Sequence, residues 1–225
     1  MYTKSQLSRV LGWAFLFQFI TSFSSGVFLQ PMWYVSDNVA EILIKITARP
    51  WLAQANIFLD MLTAFGVTFL GVTLYQVLKK ENKIAAFTGM AFYLLEGAFL
   101  GVGQIFTVAL IVIGRDIGNT VQPDLLLPLA GLFNAMHSIS GTLSMLGFCF
   151  GAVILYFLLF KSRIVPVAFS LWGLVALLPL CIGTIAKIFG IGIPFYFYTP
   201  YIPFELVMGI WFLTKGIREH SMQRN

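Results

Sequence analysis

The sequence predicts an all-α integral membrane bundle of six transmembrane helices, with an interfacial helix between the first two spans. Three observations predict it. First, 59% of the 225 residues are apolar and only 10% are charged, against roughly 25% charged in an average soluble domain. Second, the apolar residues gather in runs near the ~20 residues that cross a hydrocarbon core. Third, short basic or Gly/Pro-containing segments separate these runs. Too few charged side chains remain to clothe a water-soluble fold of this size. An ordinary soluble enzyme, a disordered chain and a nucleic-acid binder are thereby excluded. The net charge of +5 belongs to basic residues at the ends of apolar runs, where they meet the membrane surface.

Span 1 is read over residues 10–29. It follows Lys4 and Arg9 in the manner of a signal sequence, but lacks a convincing small-x-small cleavage site and is read as retained. Residues 36–47 alternate Val39, Ile42, Ile44 and Ile46 with Asp37, Glu41 and Lys45. The segment is too short and too charged to span, which predicts a helix lying in the interface, closed by Pro50 and Trp51.

Span 2, residues 55–78, stops at Lys79-Lys80. Span 3 covers residues 84–113 and is long enough to tilt or protrude. Gly118, Asn119 and Pro123 mark a turn. The next apolar stretch, residues 125–160, would make a helix of ~54 Å against a core of ~30 Å. It predicts a projecting helix or a break near residues 131–141, with span 4 proper at 138–160. Span 5 follows at 166–189. Pro194, Pro200 and Pro203 then forbid a regular helix through GIGIPFYFYTPYIP, and span 6 covers residues 202–214. No repeat divides the chain, so residues 1–225 read as one domain.

Ten basic residues fall on one side of this arrangement: Lys4, Arg9, Lys79, Lys80, Lys83, Lys161, Arg163, Lys215, Arg218 and Arg224. Lys45, Arg49, Arg115 and Lys187 fall on the other. The positive-inside rule then predicts that both termini face the cytoplasm.

Ionisable groups inside spans cost at least ~2.5–3.5 kcal/mol each, so each needs a reason. Asp60, Glu96, His137, Lys187 and Glu205 are the five. Counted from the nearest basic end at ~1.5 Å per residue, Asp60 lies ~28 Å deep, Glu96 ~20 Å, His137 ~36 Å on an upright helix, and Glu205 ~15 Å. Lys187 lies near the outer end of span 5 and can snorkel. Four different spans thus offer an acid or an imidazole to the middle and outer half of the bundle. The expectation is that Glu96, His137 and Glu205 converge on one polar site with Asp60 at its rim. Packing glue across helices is the bland reading of the same acids. Cys149 and Cys181 read as small buried hydrophobes.

The order of these features resembles the bacterial DUF4386 family of multi-span membrane proteins. The resemblance rests on the basic N-terminus with an LG-containing first span, Asp60 early in span 2, and YLLEGAFL around Glu96. It continues through His137–Gly141, the KSRIVP loop and PFELVMGIWFLTKG ending at Gly216, and covers about residues 7–216. It implies an integral protein of a bacterial membrane and makes Glu96, His137 and Glu205 the family's polar positions, with Asp60 less securely so. It implies no reaction and no substrate.

Three functional readings follow. The leading one is a non-enzymatic membrane protein with a polar intramembrane pocket, handling or sensing a small ligand, a lipid or an ion. Buried acids and an imidazole can exchange protons as their surroundings change. The alternative is a membrane-embedded lipid hydrolase, which a metal held by Asp60, Glu96, His137 and Glu205 would assist. Only one histidine lies in the spans, and no HExxH, GxSxG, Walker A or dinucleotide fingerprint is present, so no cofactor is favoured. The third is a structural or partner-binding subunit. The expected partners are membrane lipids, with no nucleic acid.

Overall fold

The computed structural model describes residues 4–35, 38–116, 123–192 and 194–217. Helix α1 (Lys4–Phe23) continues through a π-helical turn, Ser24–Leu29, into the short α2 (Gln30–Trp33). Then come α3 (Val39–Ala48), α4 (Pro50–Leu78), α5 (Lys83–Asp116), α6 (Pro123–Ser162), α7 (Val167–Ile188), a 3₁₀ turn at Phe195–Phe197, and α8 (Ile202–Thr214). Five stretches are long and apolar enough to cross a membrane: 5–33, 50–78, 83–116, 125–162 and 167–188. At 13 residues, α8 is only ~20 Å long and falls short of a ~30 Å core.

Local chemistry sets the boundaries. Proline needs no amide partner in a first helical turn, and it stands there in α4 (Pro50) and α8 (Pro203). Pro50 therefore opens α4 rather than only closing the segment before it. Asn38 caps α3 by accepting from the Glu41 amide at 3.1 Å. Gly190 follows α7 at φ +75°, the left-handed conformation that glycine adopts without a Cβ penalty.

Helix α6 is unbroken over 40 residues. Of the two expectations for the long apolar stretch, the continuous helix is observed. At ~60 Å for α6 and ~51 Å for α5, both outrun a ~30 Å core. Around their far ends, away from the termini, lies a second small core that includes Trp33, Ile42, Leu43, Ile46, Leu110 and Ala130. Helix α3 packs its Ile42–Leu43–Ile46 face there, and Thr47 Oγ1 reaches the Gly114 carbonyl at 2.8 Å. The amphipathic segment therefore covers α5 and α6 with its apolar face. Asp37 and the turn at Gly118–Asn119 lie outside the described residues, as do Arg218 and Arg224.

The main core runs from Leu11 and Phe15 through Tyr93 and Tyr156 to Phe204 and Phe212. Phe58, Phe65 and Phe69 repeat at helical spacing on the outer face of α4 and are more than half exposed, as lipid-facing side chains are.

Candidate functional site: two buried polar clusters

The first cluster is built from α5, α6 and the start of α8. Tyr93 and Tyr156 are fully buried, and Glu96 and Glu205 are 8% and 6% exposed. The Tyr201 hydroxyl donates to Glu205 Oε1 at 2.9 Å. Tyr156 and Tyr201 share a 2.6 Å hydroxyl contact. Tyr201 spends its one proton on Glu205, so Tyr156 donates to Tyr201, and the donor chain ends on the carboxyl group. The spacing helps: Tyr201, whose backbone is already helical just before α8, and Glu205 are four apart and so fall on one face.

Glu96 enters the same cluster from α5. Its Oε2 is buried without a hydrogen-bond partner, and Tyr93, one turn before it on α5, packs in the same core as Tyr156 and Tyr201. Its backbone is held by α6: the Ser144 hydroxyl donates to the Glu96 carbonyl at 2.9 Å. A Cβ at Gly147 would stand 2.9 Å from the Glu96 amide nitrogen, so only glycine allows α6 to approach this closely. The packing that seats Glu96 thus depends on a residue with no chemistry of its own.

The second cluster lies nearer the far end. The Asp60 carboxyl group accepts from the Ser25 hydroxyl, from Asn56 Nδ2 at 3.0 Å and from Gln104 Nε2 at 2.8 Å. Asn56 Oδ1 in turn accepts from Trp33 Nε1 at 2.8 Å. Four helical segments therefore converge on one acid: the π-helical turn through Ser25, α2 through Trp33, α4 through Asn56 and Asp60, and α5 through Gln104. Every donor is neutral. His137 sits beside this set. Its Nδ1 lies 3.2 Å from the Gly103 carbonyl and 3.1 Å from Thr107 Oγ1. Its ring contacts those of Tyr34 and Trp33 at 5.1 and 6.4 Å.

The four residues singled out from the sequence thus divide into pairs. Glu96 and Glu205 share the first cluster; Asp60 and His137 share the second. Glu96 and Gln104 are eight residues apart on α5, ~12 Å. Between them the Ser140 hydroxyl bonds the Phe99 carbonyl at 2.6 Å. Among the described residues no three His, Cys, Asp or Glu side chains are grouped to hold a metal. A groove of about 380 Å³ between α1 and α4 is lined by Trp13, Phe17, Phe65 and Phe69. It is apolar, and neither cluster opens into it.

Residues 10–216 match the family described as a domain of unknown function, DUF4386. The chain belongs to the DUF4386 family. Both polar clusters of this DUF4386 protein fall inside the matched residues, including the partners that the sequence did not single out for the site: Ser25, Asn56, Gln104, Tyr156 and Tyr201. No curated protein and no solved structure matches the chain.

Proposed function

We propose that this protein handles or senses protons within the membrane, with Glu96 and Glu205 as the exchanging groups and Asp60 with His137 as a second station. One observation carries the reading. Two carboxyl groups from different helices are buried in one bundle, a tyrosine donor chain ends on one of them, and an oxygen of the other has no partner. Holding two such groups in hydrocarbon is costly, and a structural contact would satisfy both. A proton needs no cavity. Tyr156, Tyr201 and Phe204 rings pack together beside Glu205 with centroids 5.0–6.5 Å apart, which favours a proton over a larger ligand.

The sixth crossing in this reading is composite. The irregular chain after α7 and the 13 residues of α8 traverse the bilayer together, which puts both termini on the cytoplasmic side of a bacterial cytoplasmic membrane. Infrared difference spectra of the protein in lipid, recorded across a pH step, test the assignment. The expected result is a carboxyl stretching band that changes with pH and is lost in Glu96→Gln or Glu205→Gln. Spectra identical in wild type and both variants would overturn it.

A further inference from the structure

Helix α7 has 22 residues and is ~33 Å long, enough to cross the hydrocarbon core. The chain turns back at Phe189–Gly190. By Pro200 it has returned most of the way: the Pro200 carbonyl accepts from Trp172 Nε1 at 3.3 Å. A Cβ at Gly173 would meet the Phe204 ring at 2.5 Å. Trp172 lies near the start of α7, and the 16 residues from there to Ile188 measure ~24 Å. Residues 189–192 and 194–200 therefore descend through the depth of the bundle alongside α7, with one 3₁₀ turn, Phe195–Phe197, among the described residues.

This descent is not sealed by protein. Phe189 is 76% exposed, Ile191 57% and Tyr196 66%, and Pro194, Thr199 and Pro200 are exposed too. The backbone bonds there are a few local turns, such as Ile191 N to the Ala186 carbonyl and Thr199 N to the Tyr196 carbonyl. Non-helical backbone at this depth is not tolerated against acyl chains, because each unpaired amide or carbonyl costs several kcal/mol; it persists where protein buries it or where water reaches it, and the exposure of these residues leaves the second case. At the foot of the descent stands Tyr201, whose hydroxyl donates to Glu205, with the unpartnered Oε2 of Glu96 in the same cluster.

We propose that residues 189–192 and 194–200 line a water-filled entry leading from the far end of the bundle down α7 to Tyr201 and Glu205, through which protons reach the carboxyl pair. The inference builds on the proton reading above. Water supplies the carrier along the exposed segment, and the Tyr201 hydroxyl, bonded to Glu205, takes over where the rings close.

Cysteine accessibility tests it. In full-length protein with Cys149 and Cys181 replaced by serine, single cysteines are placed at Tyr196, Thr199 and Ile191. They are compared with Glu41→Cys at the exposed far end and Phe58→Cys on the lipid face of α4. The probe is a membrane-impermeant cationic methanethiosulfonate added to protein in lipid vesicles. Its target is the thiolate, which forms in water and not in hydrocarbon, so modification at 196 and 199 is expected about tenfold or more faster than at 58 and close to the rate at 41. Rates at all three entry positions as slow as at 58 would overturn the entry. So would rates that are slow in vesicles and fast in detergent, which would show the segment covered by lipid or by another chain. Monodispersity in size-exclusion chromatography confirms that each variant is folded. Rapid modification with a pH-insensitive infrared spectrum would retain the entry and reject the proton site; the reverse pattern would reject the entry alone.

Discussion

Asp60 shows how much of a buried acid's behaviour lies in its partners. Three neutral donors aim at its two oxygens, so the site is shaped for an acceptor. Asp60→Asn would turn an amide NH₂ toward at least one of them, leaving buried donors facing each other. A loss of about 1–3 kcal/mol in stability is expected for each group left unsatisfied, read as a lowered midpoint of thermal unfolding in detergent. Tyr201→Phe removes the donor to Glu205 and the acceptor for Tyr156 together. It should destabilise by a similar ~1–3 kcal/mol, whereas Thr88→Val, at an exposed hydroxyl bonded only within its own helix, should change little. Equal unfolding midpoints for wild type, Asp60→Asn and Tyr201→Phe would contradict this account of both clusters.

The acids were legible in the sequence because an ionisable residue in an apolar run is conspicuous. Their partners were not, because serine, threonine, asparagine and tyrosine in a span have cheap local uses. Thr63 and Thr73 bond only the carbonyls four residues back, and nothing in the sequence sets Ser25 apart from them. The (i, i+4) pairs Asn56/Asp60 and Tyr201/Glu205 were the available signal. The split of the four ionisable residues into two clusters depends on helix rotation, which depth counting cannot supply.

At the scale of elements, the contact between α5 and α6 rests on close backbone approach. A Cβ at Gly151 would lie 2.5 Å from a Tyr93 ring carbon and 3.0 Å from the Gly89 carbonyl, and one at Gly147 would press on the Glu96 backbone. Gly141, on the same helix, has nothing within 4 Å. Gly147→Ala is therefore expected to cost about 1–3 kcal/mol through overpacking. Gly141→Ala should be neutral or stabilising by up to ~1 kcal/mol, since glycine weakens a helix interior. Comparing the two unfolding midpoints isolates the contact from helix propensity. A neutral Gly147→Ala would mean that α5 and α6 are further apart than described. Gly131 likewise has nothing within 4 Å, and α6 runs unbroken through both glycines. The amphipathic pattern of α3 was legible in the sequence, but periodicity gives a helix an apolar face without naming what covers it. The π-helical turn that carries Ser25 leaves no compositional mark.

For the whole molecule, the decisive question is the side on which the chain ends. Five helices alone would leave the termini on opposite sides of a membrane. Helix α8 is too short to restore parity by itself, yet its end lies beside the start of α1: the Ser8 hydroxyl donates to the Phe212 carbonyl at 2.7 Å. Gly12 and Gly209 also pack closely, a Cβ at Gly12 standing 2.9 Å from the Gly209 carbonyl. That seam holds the two terminal segments at one end of the bundle, and the positive-inside rule applied to Lys79, Lys80, Lys161 and Lys215 predicts that this end faces the cytoplasm. Reporter fusions after Lys80, after Lys161 and at the C-terminus should all report cytoplasm, and a fusion after Gly190 should report the opposite side. Tyr198 is a poor site for such a fusion, because the chain has by then descended almost to Trp172. A C-terminal reporter on the far side would mean that residues 189–214 do not cross. It would break the seam between α1 and α8 and remove the route by which the irregular segment reaches Glu205.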